Sequence, residues 1–86
     1  MLINITGKVQ GVFFRAHAKE QAEKLSLKGY ASNMPDGSVE ILVQGEDEAV
    51  KEFLNWCRQG SPASKVESVE VRPSPEQKAF SSFEVF

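Results

Sequence analysis

Two apolar stripes of helical period, set between strand-like segments, constrain this chain more than any other feature. The first places Phe14, Ala18, Ala22 and Leu25 at intervals of four, four and three across an Arg15–Leu27 segment. Gly29 then stands where a left-handed C-terminal cap is expected, with Lys24 and Lys28 near the negative end of the dipole. The second stripe, Ala49, Val50, Phe53, Leu54 and Cys57, follows Glu46-Asp47-Glu48, carboxylates that suit the positive end of a helix, and has Trp56 at its edge. Gly60-Ser61-Pro62 ends it. Both stripes need a face to pack on.

That face comes from segments with a period of two. Ile3, Ile5, Gly7 and Val9 share one side of the first, with Asn4, Thr6 and Lys8 on the other. Gly29–Asn33 and Ser38–Gln44 read as a hairpin around Met34-Pro35-Asp36-Gly37, with Val39, Ile41 and Val43 inward. In Lys65–Arg72, Val69 and Val71 are in phase and Val66 is not, which predicts a bulge near Glu67-Ser68. Pro73-Ser74-Pro75-Glu76 is a loop, and Ser81–Phe86 a short last strand with Phe83 and Val85 on one face. The order predicts an α+β fold, the ferredoxin-like β-α-β-β-α-β sandwich plus a short C-terminal strand. Its antiparallel sheet would be covered on one face by two helices and leave the other wet. Residues 1–86 are expected to form a single domain, without repeats or linkers. A chain of this size buries roughly 60–65% of its unfolded surface.

Composition narrows the function. The 86 residues are 41% hydrophobic and 26% charged, with a formal net charge of −2. That balance is ordinary for a globular protein and offers no general attraction to nucleic acid or anionic membranes. One cysteine rules out an intrachain disulfide framework or a multi-cysteine metal site. Met1-Leu2-Ile3-Asn4 has neither the basic nor the apolar region of a signal peptide, and no apolar run approaches membrane-spanning length. A cytoplasmic monomer is the expectation.

The candidate site is Gly7-Lys8-Val9-Gln10-Gly11-Val12-Phe13-Phe14-Arg15, between the first strand and the first helix. Ser, Thr, Asp or Asn normally caps such a helix start, and from Gly7 to Ala18 there is none. The uncapped N–H groups carry the positive end of the dipole, and Arg15 adds a planar fork of donors matched to phosphate or carboxylate oxygens. Lys8, Arg15 and His17 form the one basic cluster, around this turn. Neither the Gly-Lys-Ser/Thr nor the G-x-G-x-x-G nucleotide pattern is present. These residues alone leave two readings open: an anion site, or a tight turn with Arg15 on a solvated face.

A resemblance weighs between them. Gly7-x-Val9-Gln10-Gly11-Val12-x-Phe14-Arg15, then Gly29-Tyr30-Ala31-x-Asn33-x-x-Asp36-Gly37-x-Val39 and Gly45, resembles the acylphosphatase family. The likeness continues through Gly60-Ser61-Pro62 and Val66-x-x-Val69-x-Val71 to Phe83-Glu84-Val85, essentially the whole chain. It implies the fold argued above and metal-free, cofactor-free hydrolysis of carboxyl-phosphate bonds, with a small acyl phosphate and inorganic phosphate as partners. By the same resemblance Arg15 binds phosphate and Asn33 positions the attacking water. The backbone from Gln10 through Gly11, Val12, Phe13 and Phe14 to Arg15 becomes the phosphate cradle. The sequence departs from the family at Ser32, where larger, often basic residues are usual, and at Met34, where a small hydroxyl residue is common. Both flank Asn33 and bear on how firmly it is oriented.

The residue set suits that chemistry. One Arg, one amide and a row of N–H donors would serve an alkyl phosphate poorly, because its leaving alkoxide needs a proton or a cation. An acyl phosphate releases a carboxylate of pKa about 4, which departs unaided. Other candidates have plainer readings. His17 points to a different helix face from Arg15, Cys57 is a core residue and Asp36 a turn residue. Phe13 and Phe14 lie at a helix entry rather than on the central strands that carry RNA-stacking aromatics on related folds. A non-catalytic anion-binding module of the same fold is the alternative to an enzyme. Asn33 separates the two, since binding alone requires no amide to place a water. An accessory domain of a larger carbamoyl-phosphate enzyme is disfavoured by how close Met1 and Phe86 lie to the first and last strands.

Overall fold

A computed structural model describes residues 1–75 and 78–86; of the expected 73–76 loop, Glu76 lies outside the described residues. Among the described residues the chain forms β1 (Leu2–Lys8), α1 (Phe14–Lys24), β2 (Lys28–Asn33), β3 (Val39–Gln44), α2 (Asp47–Gln59), β4 (Lys65–Arg72) and β5 (Phe83–Val85). The sheet order is β4-β1-β3-β2-β5. The four long strands pair antiparallel, while β5 runs parallel to β2 with Val85 opposite Ala31, so the sheet is mixed.

The alternation of period two becomes the helix-facing side of the sheet. Ile3, Ile5, Val9, Val39, Ile41 and Val43 are buried there, against Phe14, Ala18 and Ala22 of α1 and Val50, Phe53 and Cys57 of α2. Burying each large side chain of this set contributes about 1.5–3 kcal/mol. The phase break in β4 is a bulge. Gly7 pairs with Val66 and Thr6 with Ser68, which leaves Glu67 as the extra residue.

The first helix ends earlier than its stripe predicts, and Gly29 is not its cap. Leu25 is the C-cap, and Ser26 takes the left-handed conformation at φ 58. Leu27 N–H donates to the Ala22 carbonyl and Ser26 N–H to that of Glu23, which closes the helix by paired 6→1 and 5→2 bonds. Gly29 instead belongs to β2, where a Cβ would stand 1.8 Å from the Leu42 carbonyl oxygen. It is a glycine because two strands meet too closely there for any side chain.

The face away from the helices is not bare. Leu42 and Leu2 are buried on it. Pro75, beside Leu2, Tyr30 and Leu42, and then Lys78 and Phe80, lie against it between β4 and β5. Gln44 holds the latter two, donating to the Lys78 carbonyl at 2.7 Å and accepting from Phe80 N–H at 2.9 Å, while Phe80 packs on Tyr30. The last strand, Phe83–Val85, is shorter than expected, and Val85 lies beside the start of α1.

Candidate active site

The turn from β1 into α1 breaks local rules in a consistent way. Gly11 sits at φ +73 with open space where a Cβ would be, so the dihedral rather than crowding requires glycine. Phe13 is the N-cap residue at φ 60, ψ 24, a left-handed conformation uncommon for a bulky side chain. Among the described residues no side chain caps α1, and its first turn carries no acidic residue. The first N–H groups thus face outward at the positive end of the helix, beside Arg15.

Two hydrogen-bonded struts hold this turn. The Gln10 amide donates to the Met34 carbonyl at 2.8 Å and to the Ser38 carbonyl at 2.9 Å, which ties the loop to the β2–β3 hairpin. The Ser61 hydroxyl, buried after α2, donates to the Val12 carbonyl at 3.1 Å. The hairpin is itself braced. Asp36 Oδ1 accepts from the Ser38 N–H at 2.9 Å and from its hydroxyl at 2.6 Å, and these bonds lower the Asp36 pKa below its ordinary value of 3.8. From the sequence only the Gln10 backbone was expected at the site, and Ser61 was expected only at the end of the second helix, not against Val12. Neither residue has a periodicity that would announce a partner so distant in the chain.

Gly11, Phe13, Phe14, Arg15, Asn33 and Val85 line one concavity of about 370 Å³. Five of these were expected from the sequence at the site; Val85 arrives through the parallel pairing of β5. Gln10 and Val12, also expected there, do not line it: the first is turned to the hairpin and the second is buried in the core. Arg15 donates one guanidinium N–H to the main-chain oxygen of Phe86. Asn33 ends β2 opposite Val39, and its Oδ1 is fully buried with no hydrogen-bond partner among the described residues. A buried amide oxygen without a partner costs about 1–3 kcal/mol, and Asn33 lines the same concavity as Arg15 and the start of α1.

Ser32 and Met34 leave that arrangement intact. The Ser32 hydroxyl reaches only the Asn33 carbonyl, at 3.4 Å, and Met34 serves through its backbone, which bonds Ser38, Gly37 and Gln10. Cys57 is buried on α2, where burial pushes its thiol up to about 12. Among the described residues no group of three His, Cys, Asp or Glu side chains is placed to hold a metal, and no helix is long and apolar enough to cross a membrane.

The family model described as Acylphosphatase matches residues 1–85. The chain belongs to the acylphosphatase family. It is 45% identical to the acylphosphatase of Rubrobacter xylanophilus across 96% of this chain and 76% of that one. Against the acylphosphatase of Shewanella amazonensis it is again 45% identical, over 99% and 93% of the two chains. The crystal structure of acylphosphatase from Bacillus subtilis superimposes with a TM-score of 0.92 at 37% identity, covering 100% of this chain and 99% of that one. The chain is therefore an enzyme of the acylphosphatase class, and the turn at Gln10–Arg15 is to be understood as part of an acylphosphatase.

Proposed function

We propose that this single-domain enzyme hydrolyses small acyl phosphates without metal or cofactor. Arg15 and the backbone N–H groups of Gln10–Arg15 bind the phosphoryl group, and Asn33 positions the water. The observation that carries this reading is that one concavity is lined by Asn33, Arg15 and the uncapped start of α1. Phosphoryl transfer proceeds through a loose transition state that asks little of its nucleophile, so placement and charge stabilisation carry most of the acceleration. Arg15 and the N–H groups stabilise charge on the equatorial oxygens. Asn33 Oδ1 accepts one water hydrogen and turns a lone pair toward phosphorus, supplying orientation rather than basicity. The water attacks phosphorus, the bond from phosphorus to the bridging oxygen breaks, and the carboxylate leaves with the electron pair. The water's proton passes to a phosphate oxygen. A leaving carboxylate of pKa about 4 needs no general acid, which suits a site where, among the described residues, Arg15 is the charged side chain that lines it.

We read the enzyme as a monomer in a reducing, cytoplasmic setting, acting on a diffusible substrate rather than on nucleic acid or a membrane. A net charge of −2 and a single buried cysteine support that reading. The deciding experiment is hydrolysis of acetyl phosphate in excess chelator, wild type beside Asn33→Ala and beside an alkyl phosphomonoester. The expected result is turnover of the acyl phosphate alone, insensitive to chelation. In Asn33→Ala it should fall about 10²–10³-fold, in the range for losing one positioned polar group, while inorganic phosphate still binds. Turnover abolished by the chelator, or equal loss of turnover and phosphate binding in a folded Asn33→Ala, would sink the assignment.

A further inference from the structure

The polar part of the concavity accounts for a phosphoryl group and a water, and for little else. A water occupies about 30 Å³, so a phosphoryl group of a few heavy atoms leaves much of the roughly 370 Å³ to the rest of the substrate. What lines that remainder is carbon: Val9, Phe13, Phe14, Ala16 and Val85. Val9 and Phe14 are 1% exposed and belong to the core, whereas Phe13 is 77% exposed and Val85 37% exposed.

Phe13 is the more telling of the two. Its ring packs on no other aromatic ring among the described residues, and its backbone is held in the left-handed region. An exposed aromatic side chain on a disfavoured backbone serves no packing purpose, and strain of this kind gathers at functional sites. Val85 reaches the same concavity from β5, on the other side of the α1 start. Among the described residues no charged side chain besides Arg15 lines the space, so an acyl group bearing a second charge or several hydroxyls would meet apolar surface there.

We propose that Phe13 and Val85 form the wall that receives the acyl part of the substrate, so that the enzyme selects acyl phosphates with an apolar acyl group over those with small polar or charged ones. This rests on the reading that Arg15 and the cradle take the phosphoryl end. The wall excludes water from one side of the scissile bond and contributes contact area that grows with the acyl chain. A hydrophobic pocket discriminates by about 10–200-fold for a methylene-sized difference, and a partly open wall belongs at the lower end.

The test compares kcat/KM for benzoyl phosphate and acetyl phosphate in wild type, Phe13→Asn and Val85→Thr. Asn tolerates the left-handed conformation, and Thr keeps the branching of Val in the strand. Wild type should favour benzoyl phosphate by about tenfold, Phe13→Asn should bring the ratio toward parity, and Val85→Thr should lower it less, in the same direction. A ratio that neither variant moves, or both substrates declining in step, overturns the wall. Calorimetric binding of benzoylphosphonate against acetylphosphonate, which cannot be hydrolysed, separates this proposal from the one it rests on. If phosphate binds and neither acyl phosphate is turned over, hydrolysis is refuted, yet a benzoyl preference lost in the variants still upholds the wall. Should Phe13→Asn weaken inorganic phosphate binding as well, Val85→Thr, which leaves the cradle backbone untouched, decides.

Discussion

The two helices begin differently. At α2 the chain enters from an extended Glu46 (φ −69, ψ 146), and Asp47 and Glu48 occupy the first turn, where carboxylates offset the positive end of the dipole. At α1 it enters from a left-handed Phe13, with no acidic residue in the first turn and Arg15 in its place. Neither start has a side-chain cap among the described residues. The first is electrostatically closed by its own side chains. The second has no acidic side chain in its first turn, and its Arg15 donates to the main-chain oxygen of Phe86; a helix start of this kind is stabilised by an anion. The helices also differ in anchorage. Val50, Phe53 and Cys57 root α2 in the core along its length, whereas α1 buries one large side chain, Phe14 at its first residue, and then only the small Ala18 and Ala22.

The largest effect lies on the anchored side. Phe53 is fully buried, with ring contacts to Trp56 at 5.9 Å and to Phe83 of β5 at 6.3 Å. Phe53→Ala should lose about 3–5 kcal/mol of stability, read as a shift of the denaturant midpoint at constant slope. A loss below about 1 kcal/mol, the usual cost of swaps a core absorbs well, would mean that α2 is not rooted by this stripe. On the open side, Arg15→Ala should lower turnover about 10²–10³-fold and weaken inhibition by inorganic phosphate, with the unfolding midpoint little changed. Phosphate inhibition as strong as in wild type would show that the α1 start is not where the anion sits.

The same contrast explains how much was legible beforehand. Elements with a strict period could be read directly, because period and burial have one cause: the two stripes, the inward faces of β1 and β3, and even the β4 bulge, betrayed by Val66 falling out of phase with Val69. The uncapped turn was visible as an absence of Ser, Thr, Asp and Asn, and the motif residues Arg15 and Asn33 do converge on one concavity. What could not be read depends on partners far along the chain. Gln10 gripping the hairpin, Ser61 holding Val12, and Val85 entering the site through a parallel strand pairing leave no local trace. Gly29 misled because a glycine after a helix ordinarily means a cap, and here Ser26 took that role while Gly29 served a close strand crossing. Phe13 is the converse case, a left-handed position filled by a residue type that propensity would never place there.

Exchanging the charges of the two helix starts sharpens the comparison at a smaller scale. Ala16 is exposed, in the first turn of α1 and at the concavity. Ala16→Glu should make α1 resemble α2, raising stability by about 0.3–1 kcal/mol while weakening phosphate binding, because the new carboxylate competes for the same N–H groups. Asp47→Asn in α2 should cost a similar 0.3–1 kcal/mol and leave phosphate binding unchanged. If Ala16→Glu bound phosphate as well as wild type, the two starts would differ in sequence but not in purpose.

The smallest effect concerns the hairpin that carries Asn33 and receives Gln10. The two bonds from Ser38 hold the Asp36 pKa below 3.8, so the ionised carboxylate favours the folded chain. A carboxylate with a depressed folded-state pKa gives stability that is fully present above its unfolded value of 3.8 and is lost as the pH falls through the lower folded value. Asp36→Asn keeps an acceptor oxygen in place and removes only the charge. At neutral pH the variant should melt slightly below wild type, and the two curves should converge as the pH drops below 3.8. Asp36 is fully exposed, so salt should shrink the gap as well. Parallel curves down to the acid limit would mean that Asp36 acts through shape alone, and that the brace beneath the Asn33 hairpin, unlike the start of α1, owes nothing to charge.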